Sequence, residues 1–136
     1  MDDRNRRSKV PPGYRPAESA SEVLSRYESG ERYFQGTDLR GGWSFNGAVV
    51  AGSDFKNSFL SDIDFRSADL RDVCFDQTNL KVSDFRGADL RGASFRGAAL
   101  CGAMFAGANL DDVCTEDATW YGAKVTGIRV LAELPK

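Results

Sequence analysis

The sequence predicts an all-β solenoid, a chain wound into stacked coils of four short segments each. Three observations carry this. From Phe65 to Leu110 a large apolar residue recurs at every fifth position: Phe65, Leu70, Phe75, Leu80, Phe85, Leu90, Phe95, Leu100, Phe105 and Leu110. Two places before each of these centres stands a small or aliphatic residue, as at Ile63, Ala68, Val73, Thr78 and Ser83. Glycine recurs two places after, from Gly87 to Gly107. A repeat of this kind must be settled before any element is assigned. Its period matches neither a helix nor an ordinary strand. It fits a short extended piece, a turn, and repetition. The centre and the residue two before it then point inward, by strand alternation, and the other three positions face water. Four such pieces around a square close a coil, and successive coils stack about 4.8 Å apart.

In chain order, residues 1–16 carry Arg4, Arg6, Arg7, Lys9 and Arg15 with three prolines, and read as a disordered basic arm. Residues 17–30 change character. Ser19 with Glu22 makes a capping-box pattern. Ala20, Val23, Leu24 and Tyr27 share one helical face, and Gly30 suits the stop. The apolar face of so short a helix needs a surface, and the open end of the solenoid offers one to cap. Residues 31–136 form the repeat body. Its beat starts at Phe34 and Leu39, slips by one residue near Gly41-Gly42, and resumes at Phe45. It then runs through Val50, Phe55 and Leu60, and after Leu110 through Thr115, Trp120, Val125 and Val130.

The pattern of Ala68-Asp69-Leu70, Ala88-Asp89-Leu90 with Gly92, and Ala108-Asn109-Leu110 resembles the pentapeptide-repeat family. The resemblance spans roughly residues 32 to 130. It implies a right-handed quadrilateral parallel β-helix, here of about five coils and some 24 Å long at the strand spacing. Folded on that coil, Phe65 and Phe85 stack in one column, Phe75 and Phe95 in the opposite one, with leucines on the remaining sides. The core is expected to be solid, without a ligand tunnel.

The chemistry is correspondingly sparse. The chain of 136 residues has no histidine and a formal charge of −2. The commonest general base and metal ligand is thus missing. No nucleophile–base pairing, zinc spacing or phosphate loop appears. The expectation is a protein that is not an enzyme and carries no cofactor or metal. No apolar run reaches the ~20 residues of a membrane span. The first residues lack a signal-peptide core, and three cysteines fit a reducing compartment, so a cytoplasmic protein is expected. Cys74 and Cys114 fall two coils apart in one outward column, with Cys101 on another face, so three free thiols are expected.

Candidate contact residues are therefore surface ones. Arg66 and Arg86 stack on one face and Arg71 and Arg91 on the next, each beside aspartates, with Arg96 around the corner. These columns read either as compensated surface charge or as an arginine-rich patch for an acidic protein partner. Lys56, Asp76, Arg96 and Glu116 alternate in sign along a further column, which favours coil register. Phe59 is an aromatic at an outward position and a contact candidate. The function expected is a non-enzymatic interaction module for an unidentified protein partner. A DNA-mimicking modulator of gyrase, the activity of the resembling quinolone-resistance branch, is the alternative. It is weakened by a body from Phe34 onward holding 14 acidic against 11 basic residues. Weak nucleic-acid binding through the arginines and the basic arm comes third, opposed by the interleaved aspartates. Ile128, Leu131 and Leu134 crowd the C-terminal end, and a homodimer through residues 120–136 is expected there. The related family often dimerises at that end.

Overall fold

In the computed structural model, which describes residues 9–125, each five-residue unit is an extended pair followed by a tight turn. In the unit around Phe65, the Ala68 N–H donates to the Phe65 carbonyl at 3.1 Å, and Ser67 between them takes φ 58°. Extended pieces in successive coils pair in parallel, as at Asp64–Asp84, Asp69–Asp89, Cys74–Ser94 and Asn79–Ala99. Each pairing advances the chain by one coil of four units. The Phe65 N–H donates up the ladder to Asp84 (2.8 Å), while the Asp64 N–H donates down it to Trp43 (3.0 Å).

The one-residue slip lies where the glycines place it. Tyr33 pairs with Asp54 and Asp38 with Phe59, one residue further apart than Ser44 and Asp64. Gly41 and Gly42 both adopt positive φ, 94° and 85°, and both donate to the next coil. A bulge built from two permissive residues absorbs the insertion without disturbing the coils above.

The interior is aromatic and dry. Phe65, Phe85 and Phe105 stack nearly flat at 5.1 and 5.0 Å between centroids. The facing column of Phe75 and Phe95 meets them edge-on, at interplanar angles of 68° and 87° for Phe65–Phe75 and Phe85–Phe95. Stacked and edge-to-face pairs together are the two favourable ring geometries. Leu60, Leu70, Leu80, Leu90 and Leu100 are fully buried on the other two sides. Hydroxyls at the inward small positions bond backbone. Thr78 Oγ1 donates to the Phe55 carbonyl at 2.8 Å, and Ser83 Oγ to Leu60 at 2.6 Å while accepting from the Ile63 N–H.

A helix α1, Ala20–Glu28, lies against the first coil. Ser19 Oγ accepts from the Glu22 N–H, and Glu22 accepts from Glu18 rather than from Ser19. Val23 is fully buried, and Tyr27 donates its hydroxyl to the Ala51 carbonyl at 2.7 Å.

Three expectations need correction. Residues 1–8 of the basic arm lie outside the described residues, but Tyr14 and Arg15 are tied to the folded part. Tyr14 donates to the Gln35 carbonyl at 2.6 Å and meets Tyr33 edge-on, and Arg26 holds the Arg15 carbonyl. The aromatic Tyr14 gives this polar stretch an anchor. Second, the coil does not continue to Val125. After Thr119, which still pairs with Ala99, the strands β1 (Thr119–Trp120) and β2 (Ala123–Lys124) form an antiparallel hairpin through Tyr121-Gly122. Val125 is buried by folding back onto Ala118, which accepts its N–H at 2.9 Å. Third, four of the outward positions beside the Phe55–Phe75–Phe95 column do not face water: Asp54, Cys74, Asp76 and Ser94 are buried, while Lys56 and Glu116 stay exposed. Polar side chains bond one another there across coils and seal the face. Ile128, Leu131 and Leu134 lie outside the described residues.

Candidate functional site

The arginine columns stand where the repeat puts them, and each guanidinium is fastened to the aspartate two residues before it. Arg66 donates Nε and Nη2 to the two oxygens of Asp64 at 3.0 and 2.9 Å. Arg71–Asp69, Arg86–Asp84 and Arg91–Asp89 repeat the same fork. A strand alternation brings residues i and i+2 to one side, so the pairing follows directly from Asp-centre-Arg spacing. Adjacent coils are joined more loosely, Arg66 to Asp84 at 3.8 Å and Arg71 to Asp89 at 3.9 Å. The Arg66 hydrogen bonds hold the Asp64 carboxyl down to about 2. Arg71 and Arg91 likewise lower Asp69 and Asp89; burial pushes Asp84 up, but its arginine bonds outweigh that and leave it lowered.

The two members of each pair differ in depth. The Arg66 and Arg86 side chains are 48% and 46% exposed, whereas Asp64 and Asp84 are 25% and 13%. Within these pairs the charges balance, and the guanidinium is the more exposed member.

The six candidate residues do not form one patch. Arg66 and Arg86 share one side of the rod and Arg71 and Arg91 the next. Arg96 belongs to the sealed face beyond. It is only half-buried, pairs with Glu116, and gives its backbone N–H to Asp76 at 3.0 Å. In the alternating column, Arg96 and Glu116 pair between side chains of adjacent coils. Phe59 lies on the fourth side, exposed, with the Arg40 guanidinium 5.0 Å over its ring. All three cysteines are free, but Cys74 is buried rather than outward.

Sequence reasoning missed a groove of about 330 Å³ on the Arg66 side. It is lined by the apolar Ile63, Val82 and Met104, by Arg66 and Arg86, and by the carboxylates Asp62, Asp64 and Asp84. Val82 is 50% exposed although it occupies a turn corner at φ 53°. Trp43, the residue after the bulge, is exposed in the coil just before. The signal available in the sequence was the valine itself, an apolar β-branched residue at a corner otherwise taken by Gly, Asp, Asn, Ser or Gln. A second groove, of about 410 Å³, lies between α1 and the first coil, lined by Leu24, Tyr27, Arg32, Ala48 and Val49. Among the described residues, no group of three or more His, Cys, Asp or Glu side chains could hold a metal ion, and no helix is long and apolar enough to cross a membrane.

The pentapeptide-repeat family profile matches residues 44–81 and 83–114 in eight copies, and the chain belongs to that family. Its members fold as right-handed quadrilateral β-helices. The pentapeptide repeat protein Rfr23 of the cyanobacterium Cyanothece 51142 is 19% identical over 68% of this chain and 63% of its own, with a TM-score of 0.62, a likeness of fold alone. HetL of Nostoc sp. strain PCC 7120, a pentapeptide repeat protein involved in heterocyst differentiation regulation, is 26% identical over 70% of this chain and 48% of its own (TM-score 0.44). QnrB1, a plasmid-mediated fluoroquinolone resistance protein, is 28% identical over 57% of this chain and 37% of its own (TM-score 0.47). The chain thus spans less than two thirds of the length of each. No curated protein matches it.

Proposed function

We propose that this chain is a non-enzymatic interaction module, a rod of about five coils capped by α1, that presents fixed columns of side chains to a protein partner. The observation that carries this reading is the guanidinium layer. Each of Arg66, Arg71, Arg86 and Arg91 is held by a two-pronged bond to its own aspartate, with Nε and Nη2 engaged. Donors fixed in this way lose little freedom when a partner arrives. Among the described residues the core is filled by stacked rings, and the sequence holds no histidine, the usual proton carrier. Pairing of two copies through residues 120–136 accompanies the reading, and sedimentation equilibrium tests it: a monomer at tens of micromolar ends it.

The test of the module itself is capture from the native cell with the full chain as bait. A specific, saturable protein partner supports it. A mobility shift of DNA at physiological salt, or inhibition of gyrase supercoiling by the chain, replaces it with one of the two nucleic-acid-centred readings.

A further inference from the structure

We infer that the groove flanked by Arg66 and Arg86 is the docking surface, and that it takes an acidic peptide segment of a partner protein bearing a bulky apolar side chain. The inference rests on the interaction-module reading and narrows it to one side of the rod. Two sides carry an arginine column, and they differ in what surrounds it. Beside Arg71 and Arg91 stand the exposed carboxylates Asp72, Asp111 and Asp112, which repel an acidic partner. Beside Arg66 and Arg86 stand Val82 and Met104, and of the three carboxylates lining the groove Asp62 is the exposed one. Their own carboxylates, Asp64 and Asp84, also line the groove but are 25% and 13% exposed against 48% and 46% for the arginines, so of each pair a partner meets the guanidinium first, beside the apolar Val82 and Met104.

Two further features converge on this side. The one-residue slip at Gly41-Gly42 precedes Trp43, which is 39% exposed where the corresponding residues one and two coils on, Ile63 and Ser83, are buried. Bulges characteristically re-aim a side chain. Val82 is held in a left-handed conformation that β-branched residues avoid, at φ 53°. That corner conformation recurs along the coils, and what sets Val82 apart from the other coil corners is an exposed apolar side chain there. Arg and Met around an exposed valine, with an exposed tryptophan in the coil before, are residue types favoured at interfaces. An extended run of phosphates would instead ask for a longer cationic track without an apolar floor.

The test is selection of a random 16-residue peptide library, displayed on phage, against the immobilised full chain, followed by fluorescence anisotropy of the recovered peptides. The expected peptides combine Asp or Glu with Leu, Phe or Trp. Arg66→Glu with Arg86→Glu should weaken them at least tenfold and Trp43→Ala several-fold. Arg71→Glu with Arg91→Glu should change them less than twofold. Peptides without acidic enrichment, or equal losses from the two double variants, overturn the inference. So does a 20-base-pair DNA duplex that binds with the same dependence on Arg66 and Arg86. Running the cellular capture with the Arg66→Glu/Arg86→Glu chain separates the two levels. A partner retained by that variant overturns this surface and leaves the module standing; no partner for either chain removes the module.

Discussion

Residues 65–84 and 85–104 are two successive coils with the same interior and different corners. Phe65, Leu70, Phe75 and Leu80 are fully buried, and so are Phe85, Leu90, Phe95 and Leu100. At the corners the lower coil has Ser67, Asp72, Gln77 and Val82; the upper has Gly87, Gly92, Gly97 and Gly102. All eight take positive φ, between 53° and 73°. Glycine is therefore not what creates the turn. The ladder of the neighbouring coils imposes the left-handed corner, and residues with a Cβ accept it at a cost. What distinguishes the upper coil is room. A Cβ on Gly92 or Gly97 would collide with the Asp72 or Gln77 side chain one coil below, and on Gly102 it would lie 2.8 Å from Val82 Cγ1. At Gly87 the nearest atom, Ser67 Oγ, is an ordinary 3.5 Å away. Corner side chains of one coil lean over the glycines of the next.

The largest expected effect tests the shared interior. Phe75→Ala and Phe85→Ala should each cost about 3–5 kcal/mol in equilibrium denaturation. A loss below about 1 kcal/mol at either would mean its column is not packed. The corners come next. Gly102→Ala should cost about 2–3 kcal/mol, the left-handed penalty plus crowding against a stiff valine. Gly87→Ala should cost only the penalty, about 1–2 kcal/mol. Equal losses would break the account of crowding. Val82→Gly alone should stabilise by about 0.5–1 kcal/mol, as relief of backbone strain exceeds the added freedom of the unfolded chain. Combined with Gly102→Ala it should return part of that variant's loss, a coupling that a double-mutant cycle reads directly.

The smallest effect is electrostatic. Asp64 is held down to about 2 in the folded chain, with Asp69, Asp84 and Asp89 also lowered. Their ionised forms favour folding, fully so above the unfolded value of about 3.9, and the contribution disappears as pH falls through the folded values. Thermal unfolding followed from pH 5 to pH 2 should show a gradual decline, muted by salt because the arginines are half exposed. A stability that rises over that interval would contradict the forks.

The interior was legible because its signal is local. A centre every fifth residue fixes which side chains point in, and the doubled glycine marked the slip at Gly41-Gly42. The Asp–Arg forks followed from the same alternation. What the sequence concealed depends on contacts between coils. Asp76 and Ser94 look like outward polar residues and are buried because they bond each other across the ladder. Val125 keeps the beat while belonging to a hairpin, since a turn at Tyr121-Gly122 leaves the count intact. Tyr14 carried its packing in one aromatic within a polar segment. The groove at Val82 was hidden because the five-residue pattern sends corner residues to water without saying which side chains of neighbouring coils they stand beside.

The bulge at Gly41-Gly42 has a consequence for length variation. Because a coil consumes four units, gaining or losing one unit rotates everything beyond it by a quarter turn about the rod axis, whereas a whole coil lengthens the rod without rotation. A lone extra residue does neither, since the glycines swallow it locally. Trp43 and the Arg66–Arg86 side are therefore held at a fixed azimuth, as bit and shank are on a key. Four-unit insertions between Trp43 and Arg66 would separate them along the axis, and one-unit insertions would send them to different sides.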